Sequence, residues 1–238
     1  MNMFTANIDG WTSWGAIFQS IKDFEPLIKY IFNRHNLPFT KVENCTPGTN
    51  AVFKISGLVA KIFAPKESGM DTDSDYKTEL FGIERADRLG ISAPQLLASG
   101  TVEDKYLFHY LIMENISGSS LGQLESRMTD NEKIKFAKQL REITDKMNTT
   151  CERFNGYDIV NRARNCGRWG KLPLSFQYER REYLKKYKIT TPIYVHGDLN
   201  PDNVLIDTAG KLYNRLCRCG ICSIRVRACS GSMRTVLL

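Results

Sequence analysis

Residues 196–207 read HGDLNPDNVLID, and this stretch decides how the chain is interpreted. It places an Asp at 198 and an Asn at 203, five residues apart, among Gly, Asn and Pro residues that favour a loop. Val195 before it and the apolar run 204–206 after it predict short strands on both sides. One loop turn would then present a carboxylate, which can accept a hydroxyl proton, beside an amide oxygen, which can hold a metal ion.

The string resembles the signature H-G-D-x-x-x-x-N-x-L of the aminoglycoside phosphotransferase and choline kinase family, and it matches every fixed position. The usual protein-kinase loop has Arg where this chain has Gly197. The resemblance implies a bilobal protein-kinase-like α+β fold, with an antiparallel β-rich N-lobe and an incomplete helical C-lobe. It also implies that Asp198 is the catalytic base or positions the acceptor hydroxyl, and that Asn203 binds Mg²⁺ on the phosphates of ATP.

Upstream of this loop, the pattern is typical of a small β-rich lobe with one helix. Three short segments, FTKVEN, AVFKIS and LVAKIF, are rich in β-branched and aromatic residues and predict an antiparallel meander. Residues 75–89 predict a helix that ends at Gly90. Residues 93–116 predict two more strands, joined by a turn near 103–105.

The resemblance assigns two residues of this lobe to the nucleotide phosphates. Lys61 lies in the third predicted strand, where the kinase fold carries its phosphate-contacting lysine. Glu79, in the predicted helix, is the expected ion-pair partner that orients Lys61, and Glu84 is the competing choice. From the residues alone, each of these charges could equally lie on a solvated face.

The remaining nucleotide contacts are expected from a loop and from a hinge. The segment CTPGTNAVFKIS, with Gly48, would cover the nucleotide, although it lacks the G-x-G-x-x-G pattern and by itself predicts only a hairpin turn. The segment LIMENISGSSL resembles the hinge between the lobes. Backbone groups of Glu114 and Ile116 would then bind adenine, whereas without the resemblance residues 114–120 predict a strand end and a linker.

The chain divides into four parts: an N-terminal helical segment (1–38), an N-lobe (39–116), a partial C-lobe (117–212) and a basic, Cys-rich tail (213–238). Helical spacing in the first part predicts one amphipathic helix through Trp14, Ile17, Phe18, Ile21 and Phe24, continued after Pro26 by 27–34. In the C-lobe, Thr129 and Glu132 form a predicted capping box. In the predicted helix that follows, one face is lined by Phe136, Leu140, Ile143 and Met147.

Composition argues against a nucleic-acid or membrane protein. Residues 211–238 carry six Lys and Arg and no Asp or Glu, which leaves +1 of the net +7 for residues 1–210. No apolar run is long enough for a transmembrane helix, and no secretory signal is present, so a cytoplasmic protein is expected. Cys219 and Cys222 have the spacing of half a zinc knuckle, without the second half.

The tail departs from the family pattern. Kinase-like catalysis needs a second magnesium ligand, an Asp about a dozen residues after Asn203, yet no acid follows Asp207. A permitted set of codons for residues 213–229, read one base later, translates as IIDFADAVYAPYEYEL, which supplies that Asp. We therefore predict a frameshift near Tyr213, and the alternative is a genuine divergent tail.

The sequence thus predicts an ATP- and Mg²⁺-dependent phosphotransferase that moves the γ-phosphate to a hydroxyl of a small molecule, an aminoglycoside or another amino alcohol. Its activity is expected to be impaired, because the second metal carboxylate is missing and because the helices that bind the acceptor in this family would follow the altered segment. The alternatives are an inactive nucleotide-binding fragment or pseudokinase, and binding of nucleic acid or zinc by the tail.

Overall fold

The computed structural model describes residues 3–45, 48–156, 161, 164–186, 191–197, 199–214 and 220–222. Its N-lobe is built on an antiparallel five-stranded sheet of order β1-β2-β3-β5-β4. The strands are β1 (Val42–Asn44), β2 (Ala51–Ile55), β3 (Leu58–Ile62), β4 (Leu96–Glu103) and β5 (Leu107–Glu114). The predicted meander and the following strand pair are therefore confirmed.

Two helices, not one, precede the sheet: α1 (Trp11–Ile17) and α2 (Ile21–Arg34). The prediction of one helix was wrong because the side chain of Ser20 caps α2, accepting a hydrogen bond of 3.4 Å from the Asp23 backbone N–H. Pro26 lies inside α2 and does not end it. The N-terminal aromatics share one core with the sheet, in a cluster that includes Phe4, Trp14, Phe24, Phe53 and Phe108.

The helix of the N-lobe is α3 (Thr72–Arg88), which begins three residues before the predicted start. Asp71 causes the early start, because its side chain accepts a hydrogen bond of 3.4 Å from the Ser74 N–H. Gly90, at φ +62°, takes the left-handed conformation that ends the helix as predicted. A second core cluster joins α3 to the C-lobe through Phe63, Phe81, Leu111, Met147 and Tyr194.

The described part of the C-lobe includes the α-helices α4 (Leu121–Leu124), α5 (Asp130–Met147) and α6 (Leu174–Lys185). Its strands are β6 (Gly118–Ser120), β7 (Ile193–Val195), β8 (Val204–Asp207), β9 (Leu212–Asn214) and β10 (Gly220–Cys222). They form a β6-β8-β9 sheet and a β7-β10 pair. The expected linker is therefore partly wrong, since its end pairs as β6 with β8.

The C-lobe has a thin core in its described part. The capping box of Thr129 and Glu132 is present, so the start of α5 is confirmed. Of the whole helix only Met147 is buried, however, and Ile134 is 53% exposed. The other residues of the predicted apolar face of α5 are half-buried against Val204, Ile206 and Leu212. No helix in the described ranges combines the length and apolar character needed to cross a bilayer.

Gly118 is expected to be intolerant of any side chain. A Cβ there would lie 2.0 Å from the carbonyl oxygen of Ile206, in the backbone of β8, so β6 and β8 would have to separate. Gly118→Ala should therefore lower the free energy of unfolding by about 1–3 kcal/mol, measured by urea denaturation. Gly15→Ala in α1, which meets nothing within 4 Å, is the control and should be neutral or stabilising. Equal effects would contradict the close approach of β6 to β8.

Candidate active site

A buried ion pair joins the five-stranded sheet of the N-lobe to α3. Lys61 lies on β3 between Val52 of β2 and Leu111 of β5, and its ammonium contacts the carboxylate of Glu79. The two side chains are 13% and 9% exposed. Glu84 is exposed on the outer face of α3, so the structure brings Glu79 to Lys61.

The Lys61–Glu79 pair can also bind an anion. A buried charge is tolerated when it is paired, and each of these two side chains supplies a charge of opposite sign to the other. An ammonium has three N–H donors, and the donor that meets Glu79 leaves two for an incoming anion. The Lys61 ammonium also lies 5.1 Å from the centre of the Phe63 ring, which limits where the lysine can move.

The HGD segment begins at the end of β7. His196 is buried, and Gly197 has φ +75°, a conformation that favours glycine. This explains why glycine suits the position where the usual protein-kinase loop has Arg. Asp198, the predicted catalytic base, lies outside the described residues.

Asn203, the predicted magnesium ligand, is held at the start of β8. The side chain of Asn200 accepts a hydrogen bond of 3.0 Å from the Asp202 N–H and caps the short 3-10 helix Pro201–Asn203. The Asn203 N–H donates to the Asn200 carbonyl at 3.0 Å, and the residue is buried. The loop therefore fixes the Asn203 backbone by local hydrogen bonds.

Asp207, the last acidic residue of the sequence, stabilises a turn. Its Oδ1 accepts backbone N–H groups of Lys211 at 2.8 Å and Ala209 at 2.9 Å. These bonds, that from Lys211 above all, hold the pKa of the Asp207 carboxyl below its ordinary value. The carboxylate closes the turn between β8 and β9, and this role explains the presence of an acid at position 207 without a metal ion.

The hinge residues Glu114 and Asn115 donate their backbone N–H groups to different neighbours. The Glu114 N–H donates to the Gln95 carbonyl at 2.9 Å, whereas the Asn115 N–H donates to the Gly57 carbonyl at 3.3 Å. Because the N–H and C=O of a strand residue point to the same side, the Glu114 carbonyl is directed away from β3. Within the described part of the chain, the Ile116 N–H meets no acceptor. A carbonyl and an N–H are thus presented two residues apart.

The loop with Gly48 has an anchor that sequence reasoning missed. The indole N–H of Trp14 in α1 donates to the Thr49 carbonyl at 2.9 Å. Next to it, the buried side chain of Asn50 accepts a hydrogen bond of 3.1 Å from the Ala64 N–H, just after β3. Gly48 itself is exposed. No local pattern links positions 14 and 49, so only the fold could reveal the contact.

Comparisons with known proteins agree with this geometry. The model of the phosphotransferase enzyme family matches residues 50–213. A structure of the GDP complex of aminoglycoside 2′-phosphotransferase-IIIa is 18% identical, with a TM-score of 0.57 over 86% of this chain and 75% of that one. The streptomycin–ATP ternary complex of APH(2″)-IIa is 12% identical, with a TM-score of 0.51 over 82% and 71%. The GDP and kanamycin complex of APH(2″)-IIIa is 16% identical, with a TM-score of 0.50 over 77% and 68%.

No curated protein sequence matches the chain. At these identities the solved structures establish the fold, and together with the sheet, α3 and the hinge they define a bilobal kinase-like α+β protein. The family model covers more than half of the sequence, so the chain belongs to the phosphotransferase enzyme family.

Proposed function

We propose that the chain binds a purine nucleoside triphosphate with Mg²⁺ between its lobes, and that the fold serves γ-phosphate transfer from ATP to a hydroxyl of an aminoglycoside or another amino alcohol. The observation that carries the proposal is the buried Lys61–Glu79 pair on the central strand of the sheet. Family membership supports the reaction class. Similar structures solved with GDP, with ATP and with kanamycin or streptomycin support the nucleotide and the acceptor class.

Each described site residue has a role in this proposal. Lys61 neutralises phosphate charge, and Glu79 holds it in place. The Glu114 carbonyl and the Ile116 N–H bind the purine edge, while the loop at Gly48 covers the phosphates. Asn203 would hold Mg²⁺, which spreads the charge of the transferred group when it is bound, because an amide oxygen is a hard ligand suited to that ion. Asp198 is proposed as the base or hydroxyl-positioning residue.

A second candidate is nucleotide binding with little or no turnover. No residue from 208 to 238 is acidic. The structure places β10 antiparallel to β7, with Gly220 opposite Val195, directly before the HGD segment. The strand beside the loop therefore supplies no carboxylate as a second magnesium ligand. We propose that this chain binds nucleotide and transfers phosphate poorly.

Binding and turnover should be measured separately on the whole chain. Calorimetric titration with ATP and with GTP, each with and without Mg²⁺, is expected to show binding that tightens when Mg²⁺ is added. Asn203→Ala should make that gain in affinity about tenfold smaller, which is the loss seen when a metal site is perturbed. Asn115→Ala, a change of the same type in the hinge segment, is the control and should retain the gain.

Turnover should be followed with a panel of aminoglycosides. Little or no Mg²⁺-dependent phosphorylation is expected, and robust phosphorylation would show that the tail does not impair the site. Absence of nucleotide binding would overturn the proposed function altogether. If binding of zinc or nucleic acid appeared instead and were lost on deletion of residues 211–238, the function would lie in the tail.

A further inference from the structure

Arg85 is a buried cation that the proposed reaction does not use. It lies on α3 with 8% of its surface exposed. No carboxylate among the described residues forms an ion pair with it. Burial of an isolated charge is costly, so the surroundings must satisfy the guanidinium in another way.

The surroundings are backbone oxygens at the C-terminal end of α5. The guanidinium donates to the Met147 carbonyl from Nε at 3.2 Å and from Nη2 at 3.1 Å. Nη2 also meets the Thr149 carbonyl at 3.2 Å, the Thr149 hydroxyl at 2.6 Å and the Thr150 carbonyl at 3.5 Å. The Met147 carbonyl belongs to the last residue of α5 and lies at the negative end of its dipole, which favours a cation. The ring of Tyr194 lies 5.4 Å from Cζ.

These contacts connect the two halves of the proposed site. Thr149, whose carbonyl receives Arg85, also accepts the Tyr194 N–H at 3.1 Å, in the strand that leads to His196. On the other side, Arg85 lies six residues after Glu79 on the same helix. Apolar contacts such as Phe81 against Tyr194, at 6.2 Å between ring centres, also join α3 to β7. Such contacts tolerate sliding, whereas a planar guanidinium that meets several oxygens does not.

We infer that Arg85 is a positioning residue: it fixes α3, and with it the Lys61–Glu79 pair, relative to the loop that carries Asn203. The two halves can then hold one magnesium–nucleotide together. This inference rests on the proposed function and deepens it. It adds a residue that touches neither substrate nor metal and acts through the position of α3.

The test measures how much Mg²⁺ tightens ATP binding in variants of the whole chain. Arg85→Met, which keeps the length and apolar stem of the side chain, should reduce this gain by about tenfold, within the range of coupling between sites. Its affinity for adenosine, which meets only the hinge, should be unchanged. Arg85→Lys should restore part of the gain, since an ammonium can reach some of the same carbonyls. Arg88→Met, one turn further along α3 at an exposed position, is the matched control and should keep the full gain.

A residue that only stabilised the fold would weaken adenosine and ATP binding alike, and that result would overturn the inference. A wild-type chain that gains affinity with Mg²⁺, beside an Arg85→Met variant that gains equally, would overturn it while leaving the proposed function intact. If Arg85→Met does not fold, Thr149→Val decides, because it removes the 2.6 Å acceptor and leaves the carbonyls. An unchanged gain in that variant would reject the role. A wild-type chain that binds no nucleotide would overturn both proposals.

Discussion

Replacement of Lys61 by methionine should weaken the binding of Mg²⁺–ATP by about one to two orders of magnitude, because hydrogen bonds to a charged group contribute about 1.5–3 kcal/mol. Lys61 lies on the middle strand of the five-stranded N-lobe sheet, beside the buried carboxylate of Glu79. Its ammonium has further N–H donors that can bind a phosphate oxygen. Methionine keeps an unbranched apolar side chain at this position and removes the charge together with its N–H donors. Titration calorimetry with Mg²⁺–ATP measures the effect, and adenosine affinity should stay the same.

The same substitution leaves the Glu79 carboxylate without its cation in a site where it is 9% exposed. Loss of one partner of a buried pair costs about 3–5 kcal/mol of stability, so reduced folding could imitate reduced binding. The double variant Lys61→Met/Glu79→Gln removes both charges and should recover much of the stability without recovering the affinity. Lys54→Met on the neighbouring strand β2, at an exposed position, is the control for a lost surface charge. Equal ATP affinities in the Lys61 and Lys54 variants would refute a phosphate-binding role.

The sequence could predict the N-lobe because its signals are local. Alternating β-branched residues and turn residues such as Gly57 lie within a few positions of the pairing that they indicate. The break between α1 and α2 was missed for the same reason. Ile17, Phe18 and Ile21 keep helical spacing across it, and the cap at Ser20 competes with that spacing through one hydrogen bond.

Only part of the site could be predicted from the sequence. Family resemblance could select Lys61 and Glu79, although each alone has the pattern of a solvated charge. It could not reveal Arg85, since an arginine between Glu84 and Ala86 on a helix predicts an exposed face, and its acceptors lie 62–65 residues away. The direction of the Glu114 carbonyl at the hinge likewise depends on the register of β3 against β5, which the sequence does not show. Long-range pairing of this kind leaves no trace in local spacing.

A carboxylate restored between β9 and β10 is expected to have the largest effect on activity. β9 ends at Asn214, and the next described strand, β10, pairs with β7 directly before the HGD segment. In this chain that strand is Gly220–Cys222, and no acid is present nearby in the sequence. The alternate reading IIDFADAVYAPYEYEL begins at position 213 and would place its first Asp at position 215, directly after the last residue of β9 and about a dozen residues after Asn203.

The experiment replaces residues 213–238 with this string and compares it with a chain in which the Asp of IIDF is Asn. Mg²⁺-dependent ATP turnover should rise by about two to three orders of magnitude in the first chain, because one well-placed electrostatic group contributes that much to a transition state. The Asn chain should stay near the level of the unaltered protein. The two differ by one charge, so a difference in turnover cannot come from general repair of the fold.

Sequencing of the encoding DNA tests the origin of the tail independently of the enzyme assay. Codons that read IIDF one base later would support a frameshift near Tyr213, and any other reading would reject it. The expected difference in turnover between the Asp and Asn chains does not depend on that result, because the two chains differ only by one charge. If the Asp and Asn chains turned over ATP equally, the absent carboxylate would not be the cause of the expected low activity. The low activity would then have to come from Asn203, or from the Arg85 contacts that position α3 against the loop that carries Asn203.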